Sequence, residues 1–161
     1  MGDFVQRYGG IYEHSPWVAE RAESMLPEDA GIDEIGNAMA QCVDAAPGER
    51  QLELIRAHPD LAGRAQVAGE LTADSESEQA SAGLDRCSPA EFDTLQELNA
   101  AYRRKFGFPF VMAVRGSSVD DIIRAFGQRL ENDYESEFRT AIGEIHKIAR
   151  LRLETLRNDG D

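Results

Sequence analysis

Apolar and polar residues alternate along most of this chain with the three-to-four-residue period of amphipathic helices. "SPWVAERAESML" (15–26) begins with a serine suited to an N-cap and a proline suited to the first turn, and predicts a helix with Trp17, Ala22 and Met25 turned inward. "DEIGNAMAQCVDAA" repeats Ile35, Met39, Cys42 and Val43 on one face, and Pro47 and Gly48 close it. "RQLELIR" (50–56) reads as a further helix that must stop before Pro59. In "SPAEFDTLQELNAAYRRKF", Ser88 and Glu91 form a capping box, and Phe92, Leu95, Leu98, Tyr102 and Phe106 make the apolar stripe. "SVDDIIRAFGQRLEN" and "NDYESEFRTAIGEIHKIARLRLETLRN" carry acids near their starts, as a helix dipole favours. The second also has arginines near its end, with Phe138, Ile142, Ile145, Ala149, Leu153 and Leu156 at helical spacing.

These elements predict an all-α fold, a single-domain bundle of about seven to eight helices over residues 1–161. One stretch breaks the pattern. "FGFPFVMAVRG" (106–116) is continuously apolar with glycine and proline in its first half, so residues near 107–114 are expected to be extended and threaded between helices. Its unpaired backbone groups need partners, from neighbouring side chains, water or a polar ligand.

Charge narrows the range of functions. Thirty Asp and Glu stand against seventeen Lys and Arg, a net charge of −13, and only Lys105 and Lys147 are lysines. Such a field repels phosphate backbones and anionic lipid, so neither nucleic acid nor a membrane is an expected partner. No run approaches the length of a membrane span, and "MGDFVQRYGG" has no secretory h-region. The closing "RNDGD" does not read as a peroxisomal signal, and a cytoplasmic location is expected. Cys42 and Cys87 fit neither a disulfide framework nor a zinc motif and read as small buried hydrophobes.

Two places offer chemistry. His58, in "AHPDLAG", stands at a helix end before a proline, where its ring is expected to turn away from the helix. His14 reads as a packing or capping residue and His146 as structural within the last helix. In "LTADSESEQASAGL", Ser75 and Glu78 have capping-box spacing, while Glu78 and Gln79 also open a helix whose amides favour a carboxylate- or ureide-bearing ligand.

Taken in order, "YEHSPWVAERA", "AHPDLAG", "LTADSESEQASAGL", "YRRKFGFPFVMAVRG" and the closing "KIARLRL" pattern resemble the 2-oxo-4-hydroxy-4-carboxy-5-ureidoimidazoline (OHCU) decarboxylase family, from about Phe4 to Leu153. The resemblance implies decarboxylation of a small ureide to (S)-allantoin, the last step of the uricase route from urate. It also implies an all-helical homodimer with no metal and no organic cofactor. Carried over by position, the catalytic residues are His58 and Glu78. The ligand-contacting residues are Pro59, Ser75 and Gln79, backbone groups around Phe110 and Val111, and an arginine for which Arg152 is favoured over Arg150. On this reading Glu78 orients His58 and raises its pKa toward neutrality, and Arg152 both holds carbonyl oxygens and supplies local positive charge. The rival readings are a helical interaction module without catalysis, and a lyase or isomerase acting on a related ureide.

The acid-rich, lysine-poor composition also resembles that of proteins from high-salt environments, where counterions screen self-repulsion. The thermal midpoint is therefore expected to rise with potassium chloride concentration; a flat response would remove that reading.

Overall fold

A computed structural model of the chain describes residues 2–58, 61, 78–80, 82–84 and 87–160. Those residues form seven helices: α1 (Gly2–Tyr8), α2 (Trp17–Glu23), α3 (Ile32–Asp44), α4 (Gly48–Arg56), α5 (Pro89–Phe106), α6 (Val119–Arg129) and α7 (Tyr134–Gly160). Residues 78–80 add a helical turn, and no strand occurs among the described residues. The chain divides into two compact units, Met1–His58 with Ile145–Asp161, and Pro59–Glu144. Among the described residues no helix is long and apolar enough to cross a membrane.

In the first unit α2 packs on α1 and α3. α3 buries Ile35, Ala38, Met39, Cys42 and Val43, the face its periodicity predicts. α2 departs from expectation. Pro16, not Ser15, occupies its N-cap position without a side-chain bond, because the Ser15 hydroxyl donates to the Glu13 carbonyl at 2.9 Å. Its buried face is Val18, Ala19 and Ala22, and Met25 lies beyond the last turn, 50% exposed. At the far end of α7, Ile145, Ala149 and Leu153 are buried. There the His146 ring joins two other segments. The Tyr12 hydroxyl lies 2.8 Å from Nδ1, and Asp44 Oδ1 lies 3.0 Å from Nε2. The carboxylate can only accept, so Nε2 donates to Asp44.

The second unit is built on aromatic packing. Tyr102 of α5 touches Phe106, Phe108, Phe110 and Phe126, and Phe110 stacks on Phe126 with ring centroids 3.7 Å apart. Reciprocal capping boxes start α5 (Ser88 with Glu91) and α6 (Ser118 with Asp121). Gly107 ends α5 with φ +77° and donates its N–H to the Arg103 carbonyl at 2.8 Å, a left-handed cap that a side chain would strain.

Residues 107–118 then run without helix, and Phe108, Phe110, Val111 and Val114 are buried. Neighbouring side chains satisfy part of this backbone. Arg129 Nη1 donates to the Val111 carbonyl at 2.6 Å, and the Ala113 N–H donates to Glu144 Oε1 at 3.1 Å. The acids at the start of α7 are not all dipole partners, as the sequence suggested. Glu137 is fully buried, 2.6 Å from Arg129 Nη2, and accepts from the Tyr102 hydroxyl and from Asn132 Nδ2. The Arg129 guanidinium also lies 4.2 Å from the Phe110 ring centroid. Burial, then the bond to Glu137, holds the Tyr102 hydroxyl well above its ordinary pKa, so it stays a donor.

Arg129→Met is expected to cost about 3–5 kcal/mol in urea unfolding, because it strands a buried carboxylate. Arg129→Met combined with Glu137→Leu should lose less than the single change.

Candidate active site

His58 follows the last turn of α4. Its N–H still reaches the Ile55 carbonyl at 3.1 Å, and its Nδ1 lies 2.9 Å from the Leu54 carbonyl. The ring is therefore not free to leave the helix, as the Pro59 argument suggested; it is pinned back onto the helix's own backbone. A carbonyl only accepts, so Nδ1 carries the proton and Nε2 carries the lone pair. With 6% of its surface exposed, the side chain is out of water. Burial drives its pKa down from 6.5 to about 4, against the raising effects of the Leu54 bond and the Glu13 charge; Arg152 and His14 lower it further. This overturns the expectation of a histidine raised by a carboxylate: the resting ring is neutral, a base in waiting.

Glu13 is the residue that sequence reasoning missed. It is 2% exposed, and its Oε2 accepts from Arg152 Nη2 at 2.8 Å. Arg152, 4% exposed, also donates Nη1 to the carbonyls of Ile11 (3.3 Å) and Gly10 (3.4 Å). One loop, residues 10–13, thus supplies three acceptors to one guanidinium. The signal was present in "YEHSPW", an acid flanked by residues that pack, but an acid before a helix N-terminus reads first as a dipole partner. Arg150 has a different environment: it faces Asp33 at 3.3 Å, and that carboxylate is largely exposed. Of the two arginines, Arg152 is the one whose charge reaches His58 along with that of Glu13.

The other site residues expected from sequence fall in the second unit. Gln79 is buried and Glu78 half-buried on the helical turn 78–80, and both have polar or charged partners. The turn ends as Ala82 and Gly83 donate to the carbonyls of Gln79 and Ala80. Pro59 and Ser75 lie outside the described residues. Phe110 and Val111 are core residues, 1% and 3% exposed, and the Val111 carbonyl accepts from Arg129. Among the described residues, no three His, Cys, Asp or Glu side chains are grouped as a metal site would need.

A buried, neutral histidine that feels the charges of a buried Glu–Arg pair is an arrangement able to take up a proton at Nε2. Known proteins agree in family. Residues 1–154 match the OHCU decarboxylase family. A 2-oxo-4-hydroxy-4-carboxy-5-ureidoimidazoline decarboxylase of Haloferax volcanii is 51% identical over 150 residues, 93% of this chain and 86% of its own. One from Halalkalicoccus jeotgali is 50% identical over 153 residues, 95% of this chain and 84% of its own. Among solved structures, (S)-allantoin synthase superposes with a TM-score of 0.77 at 32% identity, covering 96% of this chain and 50% of that one. The chain belongs to the OHCU decarboxylase family.

The depressed histidine makes a stability prediction. Between pH 6.5 and about 4 the unfolded chain binds a proton at His58 that the folded chain refuses, so this residue lowers stability as pH falls through that window. From pH 7 to pH 4.5, wild-type unfolding free energy is expected to fall by about 2–3 kcal/mol more than that of His58→Gln, measured by urea titration.

Proposed function

We propose that this chain decarboxylates OHCU to (S)-allantoin, in the last step of urate degradation, with His58 as its general base and without metal or organic cofactor. The observation that supports the residue assignment is the 2.9 Å contact between His58 Nδ1 and the Leu54 carbonyl, which as an acceptor leaves the lone pair of the neutral ring on Nε2. Family membership over residues 1–154 supports the reaction class.

The chemistry asks little beyond this. In the substrate, the carboxylate sits on a carbon that bears a hydroxyl and adjoins a ring carbon doubly bonded to nitrogen. As that C–C bond breaks and carbon dioxide leaves, its electron pair forms a carbon–carbon double bond, and the C=N electrons pass to the ring nitrogen, which takes up a proton. The resulting enol becomes the product when its hydroxyl proton is lost and the neighbouring carbon is protonated. The substrate is its own electron sink, which supports a cofactor-free route. His58 Nε2 accepts the hydroxyl proton and returns it to one face of the neighbouring carbon, setting the S configuration.

Leu54 already orients His58, so Glu78 is better suited to a different task. A half-buried carboxylate beside Gln79 can accept from the ureido N–H groups and hold that arm against rotation. Arg152 offers a planar fork to carbonyl oxygens.

The test generates OHCU in place from urate with uricase and hydroxyisourate hydrolase, and follows circular dichroism of the product. Wild type should give (S)-allantoin faster than spontaneous decay, and His58→Ala should lower kcat by about 10²–10⁴-fold. Glu78→Ala should abolish most turnover with the fold intact. If it keeps full activity and only loses about 1 kcal/mol of stability, Glu78 is a cap and nothing more. Racemic product at the spontaneous rate would overturn the assignment.

A further inference from the structure

Glu13 is an anomaly of its loop. The Ser15 N–H bonds the Tyr12 carbonyl at 3.0 Å and closes a turn in which His14 takes φ +49°, and His14 is the one non-glycine among the described residues in that left-handed region. Such a conformation is costly for a residue with a side chain and persists where its surroundings demand it. Here it accompanies an exposed His14, whose Nε2 lies 3.9 Å from Glu13 Oε1, and a buried Glu13 whose Oε2 is held by Arg152. The loop accepts strain and a buried carboxylate together.

Resting on the reading of Arg152 as the residue that holds the ureide, we propose that Glu13 is a positioning and specificity-determining residue that makes Arg152 a hydrogen-bond fork for neutral oxygens and stops it from clamping the substrate's carboxylate. The geometry gives the positioning half. Glu13 takes Nη2, while the Gly10 and Ile11 carbonyls take Nη1, so the guanidinium plane is fixed by three acceptors from one loop. Charge gives the other half. A carboxylate 2.8 Å from Nη2 with almost no water between largely cancels the cation as seen from a third group. On this proposal the substrate meets the Glu13–Arg152 pair, in place of the local positive charge expected of Arg152 from sequence.

The cancellation suits a decarboxylation. As carbon dioxide leaves, negative charge drains from the carboxylate toward the ring. A cation gripping that carboxylate stabilises the ground state more than the transition state and raises the barrier. A fork whose charge is cancelled still bonds a ureido or ring carbonyl, whose need for donors persists throughout the reaction.

The test compares two ureides by calorimetry: (S)-allantoin, which is neutral, and allantoate, which carries a carboxylate. Glu13→Gln keeps an acceptor at the same reach and removes the charge. It should bind allantoate at least ten-fold more tightly relative to allantoin than wild type does, and should lower kcat and KM together for OHCU. If Glu13→Gln does not fold, Glu13→Asp, with its carboxylate drawn back from Arg152, should shift the same ratio at least two-fold. Equal weakening of both ligands, or an unchanged ratio, overturns the proposal, since a merely structural residue would not discriminate between them. Arg152→Gln separates the two levels: if it binds both ureides as wild type does, the assignment of Arg152 itself fails, whatever Glu13 does.

Discussion

A guanidinium taken out of water must recover both its charge partner and its hydrogen-bond acceptors, and each compact unit of this chain is organised around one such recovery. In the second unit Arg129 finds Glu137, the Val111 carbonyl and the Phe110 ring. In the first, Arg152 finds Glu13 and the carbonyls of Ile11 and Gly10. Stranding either charge would cost several kcal/mol, so each cluster holds its neighbouring backbone in one arrangement. A leucine at either position would bury as much area without specifying where a carbonyl or a carboxylate must lie.

The two clusters do different work. The Arg129 cluster solves a backbone problem. A buried, irregular segment after α5 exposes carbonyls and amides with no ladder to join, and Arg129 and Glu144 reach in to satisfy them. The aromatic residues around Tyr102 supply the apolar area, and the polar contacts decide the path of the chain through it. The Arg152 cluster lies instead among the charges that act on His58, where the pull of Glu13 and the push of Arg152 oppose each other. Burial is then left as the dominant influence, and it keeps the imidazole neutral. For the proposed step, in which His58 takes the hydroxyl proton of the enol left by decarboxylation, a neutral ring with its lone pair on Nε2 is the useful resting form.

The acidic surface belongs to another scale. A net charge of −13 spread over the chain sets solubility and long-range repulsion, while the site responds to paired charges a few ångströms apart.

Much of the helical framework was legible from sequence, because helices are local. The face of α3 and the capping box at Ser88 depend on residues three or four apart, and the structure places them as the spacing implies; on α5 Leu95, Tyr102 and Phe106 are buried as expected, but Asn99 is buried where Phe92 and Leu98 are only half-buried. The order of five motifs was enough to identify the family, since shared ancestry is written in residues. Charge burial was not legible. Glu13, Arg129, Glu137 and Arg152 look like ordinary polar positions on helices and loops, and each is inside only because a partner 8 or 139 positions away in sequence meets it there. His58 shows the same division: its place at the end of a helix could be read from Pro59, but the direction of its ring, its tautomer and its depressed pKa were decided by the Leu54 carbonyl and by burial, which exist only once the chain has packed.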